Sequence, residues 1–255
     1  MRVIAAGNSD VGLQRDHNED SFVLLEQHGL YVVADGMGGH SAGDVASRLA
    51  TTTITEFFNT TAREDATWPF HYDPTLSAEE NRLITGIKIA NKSIYEAGVR
   101  SRESRRMGTT IVGMLFSPAA KRIYIGHVGD SRCYRIRDGA IAQLTQDHSL
   151  LNEWLKVTAL TPDAPKAEVP RNVITRALGM NDGVQVDVSI DDPQPGDVYV
   201  LCSDGLSSMI TDEKILEIVK AHPDPEQAVK TLITAANEHG GEDNVTTIVA
   251  QVIDD

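Results

Sequence analysis

The 255-residue chain holds only two cysteines, Cys133 and Cys202, and no C-x-x-C pair. That scarcity excludes a disulfide-stapled scaffold and a cysteine-built metal cage. Both cysteines sit in apolar, strand-like runs, so they read as buried free thiols in a reducing compartment. Basic residues are also scarce: 23 Lys and Arg stand against 37 Asp and Glu, for a formal charge of -14. Such a balance argues against a nucleic-acid surface. No apolar run approaches the length of a membrane span, and the opening MRVIAAGNSD has too few apolar residues for a signal peptide. The expectation is a soluble, cytoplasmic protein with no nucleic-acid or membrane partner. Linkers rich in Gly, Ser or Pro, short repeats and low-complexity segments are all missing, so the chain reads as a single domain over residues 1–255. The acidic excess leaves one condition: an anionic ligand would need added positive charge, which bound metal ions could supply.

What is present is a strand-rich pattern with paired helices. Residues 3–6 read as a first strand and Gly7-Asn8-Ser9-Asp10 as a turn cluster. Runs 22–25 and 30–34 flank Glu26-Gln27-His28-Gly29 as a hairpin. Val45, Ala46, Leu49, Thr53 and Phe57 keep helical spacing behind Ser41-x-x-Asp44. A second helix runs through Leu83, Ile87, Asn91 and Ile94 behind the capping box Ser77-x-x-Glu80. Residues 109–116, 122–128, 132–136 and 140–144 form an antiparallel meander. An insertion then breaks it, with a helical stretch at 149–160 followed by Pro162, Pro165 and Pro170. Such an insertion reads as a binding flap at about residues 145–176. Strands resume at 173–177, 184–190 and 197–202; helices follow near Thr211 and at Asp224-Pro225, and a last strand covers 245–252. The order predicts an α+β fold, a four-layer αββα sandwich of two central antiparallel sheets flanked by helices.

Carboxylates recur where strands end. Val32-Val33-Ala34-Asp35-Gly36-Met37-Gly38-Gly39-His40 delivers Asp35 into a glycine-rich turn, where backbone and ligand can approach closely. Asp20, Asp130 in Gly-Asp-Ser, Asp204 in Ser-Asp-Gly and Asp243 in Glu-Asp-Asn repeat that context. One such residue suits a solvated turn, whereas five can converge if the sheets pack face to face. Gathered carboxylates cannot all stay ionised without a cation. Oxygen donors without paired His or Cys suit Mg²⁺ or Mn²⁺ rather than Zn²⁺. Upstream, Arg15-Asp16-His17-Asn18-Glu19-Asp20 is either a solvated loop or an arginine and carboxylates at the mouth of a site.

Six stretches occur in order: R-x-x-x-E-D from Arg15, V-A-D-G-M-G-G-H, M-G-T-T from Met107, H-V-G-D-S-R from His127, C-S-D-G-L from Cys202 and G-G-E-D-N-V-T from Gly240. Together they resemble the metal-dependent protein phosphatases, the type 2C serine/threonine phosphatases in their compact bacterial form, across residues 8–252. The resemblance implies two Mn²⁺ or Mg²⁺ ions between the sheets, with Asp35 bridging both. It implies that Asp204 and Asp243 complete one ion and that the Gly36 carbonyl serves the other, while Glu19 and Asp20 act through waters. Asp130 with Asp204 would hold a weaker third ion, and Arg15 would grip the phosphate. Phosphorylated proteins, serine/threonine kinases among them, are the implied partners of a monomeric enzyme that reverses kinase signalling.

On this reading a metal-bridging water is the nucleophile, because coordination lowers its pKa towards about 7. The planar fork of Arg15 suits two phosphoryl oxygens. His40 is the candidate acid for the leaving oxygen, since imidazole titrates near neutrality. Animal members carry a histidine directly after the Asp-Gly pair, where this chain has Met37, so a turn-organising His40 is the alternative. A cysteine-dependent phosphatase is disfavoured, since neither cysteine lies in a phosphate loop. Two rivals are a non-catalytic binding module on the same sandwich and a metal hydrolase of small phosphorylated metabolites.

Overall fold

The computed structural model describes residues 1–38, 42–61, 72–100, 107–160, 169–170 and 173–254. Its strands are β1 (Arg2–Asp10), β2 (Asp20–Leu25), β3 (Leu30–Met37), β4 (Gly108–Thr109), β5 (Ile111–Ser117), β6 (Arg122–Val128), β7 (Arg132–Arg137), β8 (Ala140–Gln143), β9 (Asp187–Asp191), β10 (Val198–Cys202) and β11 (Val245–Ile253). Its helices are α1 (Ala42–Thr60), α2 (Ala78–Arg100), α3 (Leu150–Leu160), the single turn α4 (Asp204–Ser207), α5 (Asp212–Ala221) and α6 (Pro225–Glu238).

The strands form two antiparallel sheets, ordered β1-β11-β10-β7-β8 and β2-β3-β5-β6-β9, with β4 pairing β3. Strand alternation explains why they stack. Side chains of a strand point to opposite faces in turn. On β3, Leu30, Val32 and Ala34 pack against Ala46, Ala50 and Ile54 of α1 and Leu83 and Ile87 of α2. Tyr31 and Val33 pack instead between the sheets, with Val112, Ile125, Leu201 and Ile248. On β10, Val200 and Cys202 meet Leu206, Ile215 and Leu232 of the helical layer, while Tyr199 and Leu201 face the other sheet. The expected αββα sandwich is therefore what forms. Both cysteines are buried and free, as expected.

Helix starts follow their capping chemistry. Ser77 Oγ accepts from Glu80 N–H at 3.2 Å and Ser77 N–H donates to Glu80 Oε2 at 3.0 Å, the reciprocal box read from sequence. Asp224 caps α6 through Glu226 N–H, and Thr211 caps α5. The expected box at Ser41 lies outside the described residues, as do residues 161–168 and 171–172 of the inserted segment.

Several expectations are corrected. Residues 7–10 are not a turn: they continue β1 in register with β11, Gly7 opposite Ile248 and Asp10 opposite Val245. The Asp35-Gly36 step is not a turn either. It lies inside β3, with Asp35 opposite Asp20 and Gly36 opposite Thr109. In both cases the ladder bonds of a neighbouring strand override local turn preference. Residues 173–177 form no strand; a single bridge joins Ser149 to Ile174, and Leu178 then bridges Thr109. The strand expected at 184–190 is confined to β9, which follows the edge of β6 from His127 to Ile123.

Candidate metal centre

Asp20 begins β2, Asp35 lies near the end of β3, and Asp130 lies between β6 and β7. Asp204 follows β10, and Asp243 precedes β11. Register places all five at one end of the sandwich. Inward parity from Tyr31 and Val33 carries Asp35 to the inter-sheet face.

The backbone of Asp35 is clamped by the Met107–Thr110 motif. Thr110 N–H donates to Asp35 O at 2.8 Å, Thr109 Oγ1 donates to the same oxygen at 2.8 Å, and Asp35 N–H donates to Thr110 Oγ1 at 3.2 Å. Gly36 N–H donates to Glu19 O at 3.1 Å. A β-carbon at Gly36 would collide with the carbonyl oxygens of Gly43 and Glu19, so only glycine permits α1 and the Glu19 loop to close on this strand.

The carboxylates repel one another. Burial, then the charges of Asp20, Asp204, Asp130 and Asp243, hold Asp35 well above the ordinary carboxylate range. Burial, partly offset by the nearby Thr246 and Ser203 hydroxyls, lifts Asp20 to about 7, with Asp204 and Asp243 adding to the rise. Asp130 is pushed up to about 7 by burial and then by Asp204. Asp204 is raised by burial and by Asp243. This is the electrostatic signature of acidic groups assembled without compensation.

The donor set fits a hard divalent cation. Asp20 Oδ1 is buried with no hydrogen-bond partner, although Asp20 Oδ2 accepts from Ser203 Oγ at 2.8 Å. A buried carboxylate oxygen left unpaired is costly, and a cation would satisfy it. Among the described residues no group of three or more His, Cys, Asp or Glu side chains is gathered closely enough to hold an ion by itself. An open centre of a few carboxylates plus water is how Mg²⁺ is ordinarily held.

The remaining expected residues are placed as follows. The half-exposed Arg15 donates from Nη2 to Asp243 Oδ2 at 2.7 Å, so it stands at the rim and is paired with one of the acidic cluster. Glu19 lies against α1: a β-carbon on Gly43 would meet its Oε2 at 2.7 Å. His40 lies outside the described residues. Beside the end of β3, a cleft is lined by Met37, Ile174, Arg176, Met180 and Val184.

Other residues of the quoted motifs serve the site without having been singled out. Asn244 Nδ2 donates to Val11 O and His17 O, both at 2.9 Å, and its Oδ1 accepts from Glu19 N–H at 2.8 Å. It thereby ties the Arg15–Glu19 loop to the start of β11. Ser203 Oγ accepts from Thr246 N–H at 2.9 Å while donating to Asp20, which orients that carboxylate. Their signal was membership of the motifs themselves. Arg132, at the end of another motif, instead binds Asp147 through Nε and Nη2 at 2.7–3.1 Å.

The family model for protein phosphatase 2C matches residues 13–245. The serine/threonine phosphatase stp of Listeria innocua is 34% identical over 251 residues, which cover 95% of this chain and 93% of that one. The crystal structure of the Mycobacterium tuberculosis serine/threonine phosphatase PstP/Ppp superposes with a TM-score of 0.83 at 32% identity, covering 100% of both chains. A second structure, the catalytic domain of PstP in complex with two manganese ions, gives 0.81 at 32% identity and 99% coverage of each. Fold and site thus define a phosphoprotein phosphatase of the serine/threonine class. The chain belongs to the protein phosphatase 2C family.

Proposed function

We propose that this chain hydrolyses phosphoserine and phosphothreonine in proteins, with water as nucleophile, at a centre of two Mn²⁺ or Mg²⁺ ions. The observation that carries this reading is the buried, unpartnered Asp20 Oδ1, which stands opposite Asp35 across the β2–β3 ladder, with Asp20, Asp35, Asp130 and Asp204 each raised first by burial and then by a neighbouring carboxylate. The two manganese ions in the PstP catalytic domain support the choice of metal. Asp35 would bridge the ions, Asp204 and Asp243 would hold one, and the Gly36 carbonyl the other. Glu19 and Asp20 would act through water, and Asp130 with Asp204 would take a weaker third ion. When bound, such ions neutralise phosphate charge and acidify coordinated water.

The chain's own residues do the rest. Arg15, at the rim beside Asp243, has donors left to orient phosphoryl oxygens, which a planar guanidinium can contact two at a time. His40 would give the proton to the leaving serine or threonine oxygen; loss of rate in His40→Ala on substrates with poor leaving groups, spared on good ones, tests that role. Residues 145–176 would flank the substrate as a flap within a single domain over 1–255. Phosphorylated serine/threonine kinases are fitting substrates, which would place the activity in the cytoplasm as reversal of kinase signalling.

The test is a dephosphorylation assay with phosphoserine and phosphothreonine peptides and small phosphorylated metabolites, with Mn²⁺, Mg²⁺ or chelator. Turnover of the peptides should depend on metal and vanish in a folded Asp35→Asn variant. Metal-independent turnover, or a preference for metabolites, would refute the reading.

A further inference from the structure

His148 occupies a junction that none of the ligand assignments uses. Its main-chain N–H donates to Gly129 O at 2.9 Å, and Gly129 N–H donates back to His148 Nδ1 at 2.9 Å. From the other side, Thr175 N–H donates to His148 O at 2.8 Å, and Leu150 N–H donates to Val173 O at 2.8 Å. The residue is thus sandwiched between the turn that carries Asp130 and both ends of the inserted segment.

Because Nδ1 accepts from an amide, the neutral ring must carry its proton on Nε2. Nε2 lies 3.2 Å from Asp187 Oδ2, and Arg176 Nη1 holds the same carboxylate through Oδ1 at 2.6 Å. Arg176 Nη1 is also 3.0 Å from Nε2; both nitrogens bear hydrogens, so the shared carboxylate is what keeps them together. His127 stacks on the His148 ring, with centroids 4.7 Å apart and planes 9° from parallel, and its Nε2 meets Gln146 O at 2.9 Å. The ring is buried and has one orientation that satisfies both of its nitrogens.

The turn needs that support. Gly129 has φ +112°, where a β-carbon would meet Thr110 Cβ at 2.6 Å, so no side chain can pin it from within. Next to it, Ser131 Oγ and Thr110 Oγ1 are 2.6 Å apart, and Thr110 also binds Asp35 N–H. The Asp130 backbone is therefore gripped by Ser131 on the Asp35 side and, through Gly129, by His148 on the side of the inserted segment.

We infer that His148 is a positioning residue: it fixes the Gly129–Asp130 turn to the base of the 145–176 segment and so sets where the Asp130 carboxylate stands. The inference rests on the reading of Asp130 as a ligand of the third ion. It makes that ion's affinity depend on a residue that touches no metal.

The test uses Mn²⁺ alone, counted by equilibrium dialysis against wild type, His148→Leu, His148→Asn and Asp130→Ala. Leucine fills the space but accepts nothing, whereas asparagine Oδ1 stands where Nδ1 does and still accepts from Gly129 N–H. His148→Leu should weaken the weakest Mn²⁺ isotherm at least about 10-fold, the lower end of losses on removing a supporting partner, and leave the two tighter ions unchanged. His148→Asn should stay within about 3-fold of wild type, because the supporting bond survives. A folded His148→Leu that binds the weakest ion as wild type does overturns the inference; so does His148→Asn losing as much as His148→Leu. If Asp130→Ala binds every ion as wild type does, the third-ion reading itself fails, and the inference with it. Should His148→Leu not fold, ¹⁵N-histidine spectra of the wild-type protein decide. An unprotonated Nδ1 bonded to the Gly129 amide supports the inference, and a protonated Nδ1 overturns it.

Discussion

Replacing Asp130 with asparagine should stabilise this protein when metal is withheld. Asp130 is raised from 3.8 to about 7, first by burial and then by the charge of Asp204. The folded state therefore keeps its proton over a range in which the unfolded chain has lost it. The wild-type protein is stabilised on this account below the unfolded value, and that stability is lost as pH rises towards the folded value. A shift of about 3 units at about 1.4 kcal/mol each caps the loss at about 4 kcal/mol near neutrality. Asparagine is a mimic of the protonated acid and escapes the loss. Because Asp204 shares the field and can take up the proton instead, the gain in Asp130→Asn should fall between about 1 and 4 kcal/mol at about pH 7.5, shrinking to less than half by about pH 5. Urea unfolding of both proteins in chelator, across that range, measures it. Saturating Mn²⁺ should remove or reverse the difference, because a cation bound to ionised Asp130 stabilises only the wild type. If Asp130→Asn is no more stable than wild type in chelator at about pH 7.5, the carboxylates are not frustrated and the electrostatic argument for a cation fails.

Asn244→Leu should cost about 3 kcal/mol, since three side-chain hydrogen bonds to Val11, His17 and Glu19 are lost at about 1 kcal/mol each. The urea midpoint should fall accordingly, and kcat/KM should fall further than stability explains, because Arg15 and Glu19 ride on the released loop. Gly36→Ala should cost about 2–3 kcal/mol by overpacking against two backbone carbonyls, read as a drop in Tm; an unchanged Tm would show that the α1–β3 approach is looser than described. Metal-free wild-type protein should gain stability as pH falls from about 7 towards 5, whereas the Mn²⁺-loaded protein should lose it as protons displace the ions; parallel pH profiles for the two forms would count against the centre.

How far the sequence could lead is visible residue by residue. The layers were legible because Leu30, Val32 and Ala34 alternate with Tyr31 and Val33, and a strand that is apolar on both faces must be covered on both. The same arithmetic sends Asp35 inward. Turn residues misled: Gly7-Asn8-Ser9-Asp10 and Asp35-Gly36 look like breaks, yet β11, β2 and β4 pair with them and keep them extended. Local preference loses there to partners more than a dozen residues away. Convergence of the carboxylates was legible only as recurrence, since the sheet order β1-β11-β10-β7-β8 follows from no periodicity.

The harder distinction is between a ligand and the residue that holds it. Asp243 and Asn244 are adjacent, polar, and sit in the same motif before the same strand. Only their partners separate them. The Asn244 amide spends both its oxygen and its nitrogen on backbone groups of Val11, His17 and Glu19, which leaves little for a cation. The Asp243 carboxylate accepts from the half-exposed Arg15 on one oxygen and from its own neighbour's N–H on the other, which leaves each oxygen capacity for a further partner. Asp147-His148-Ser149 poses the same problem without the help of a quoted motif: a polar triplet before a helix looks like a cap, while the geometry spends His148 on Gly129 and Asp147 on Arg132. Residues that bond chiefly to distant backbone leave no pattern along the chain, because the backbone they serve carries no side-chain code.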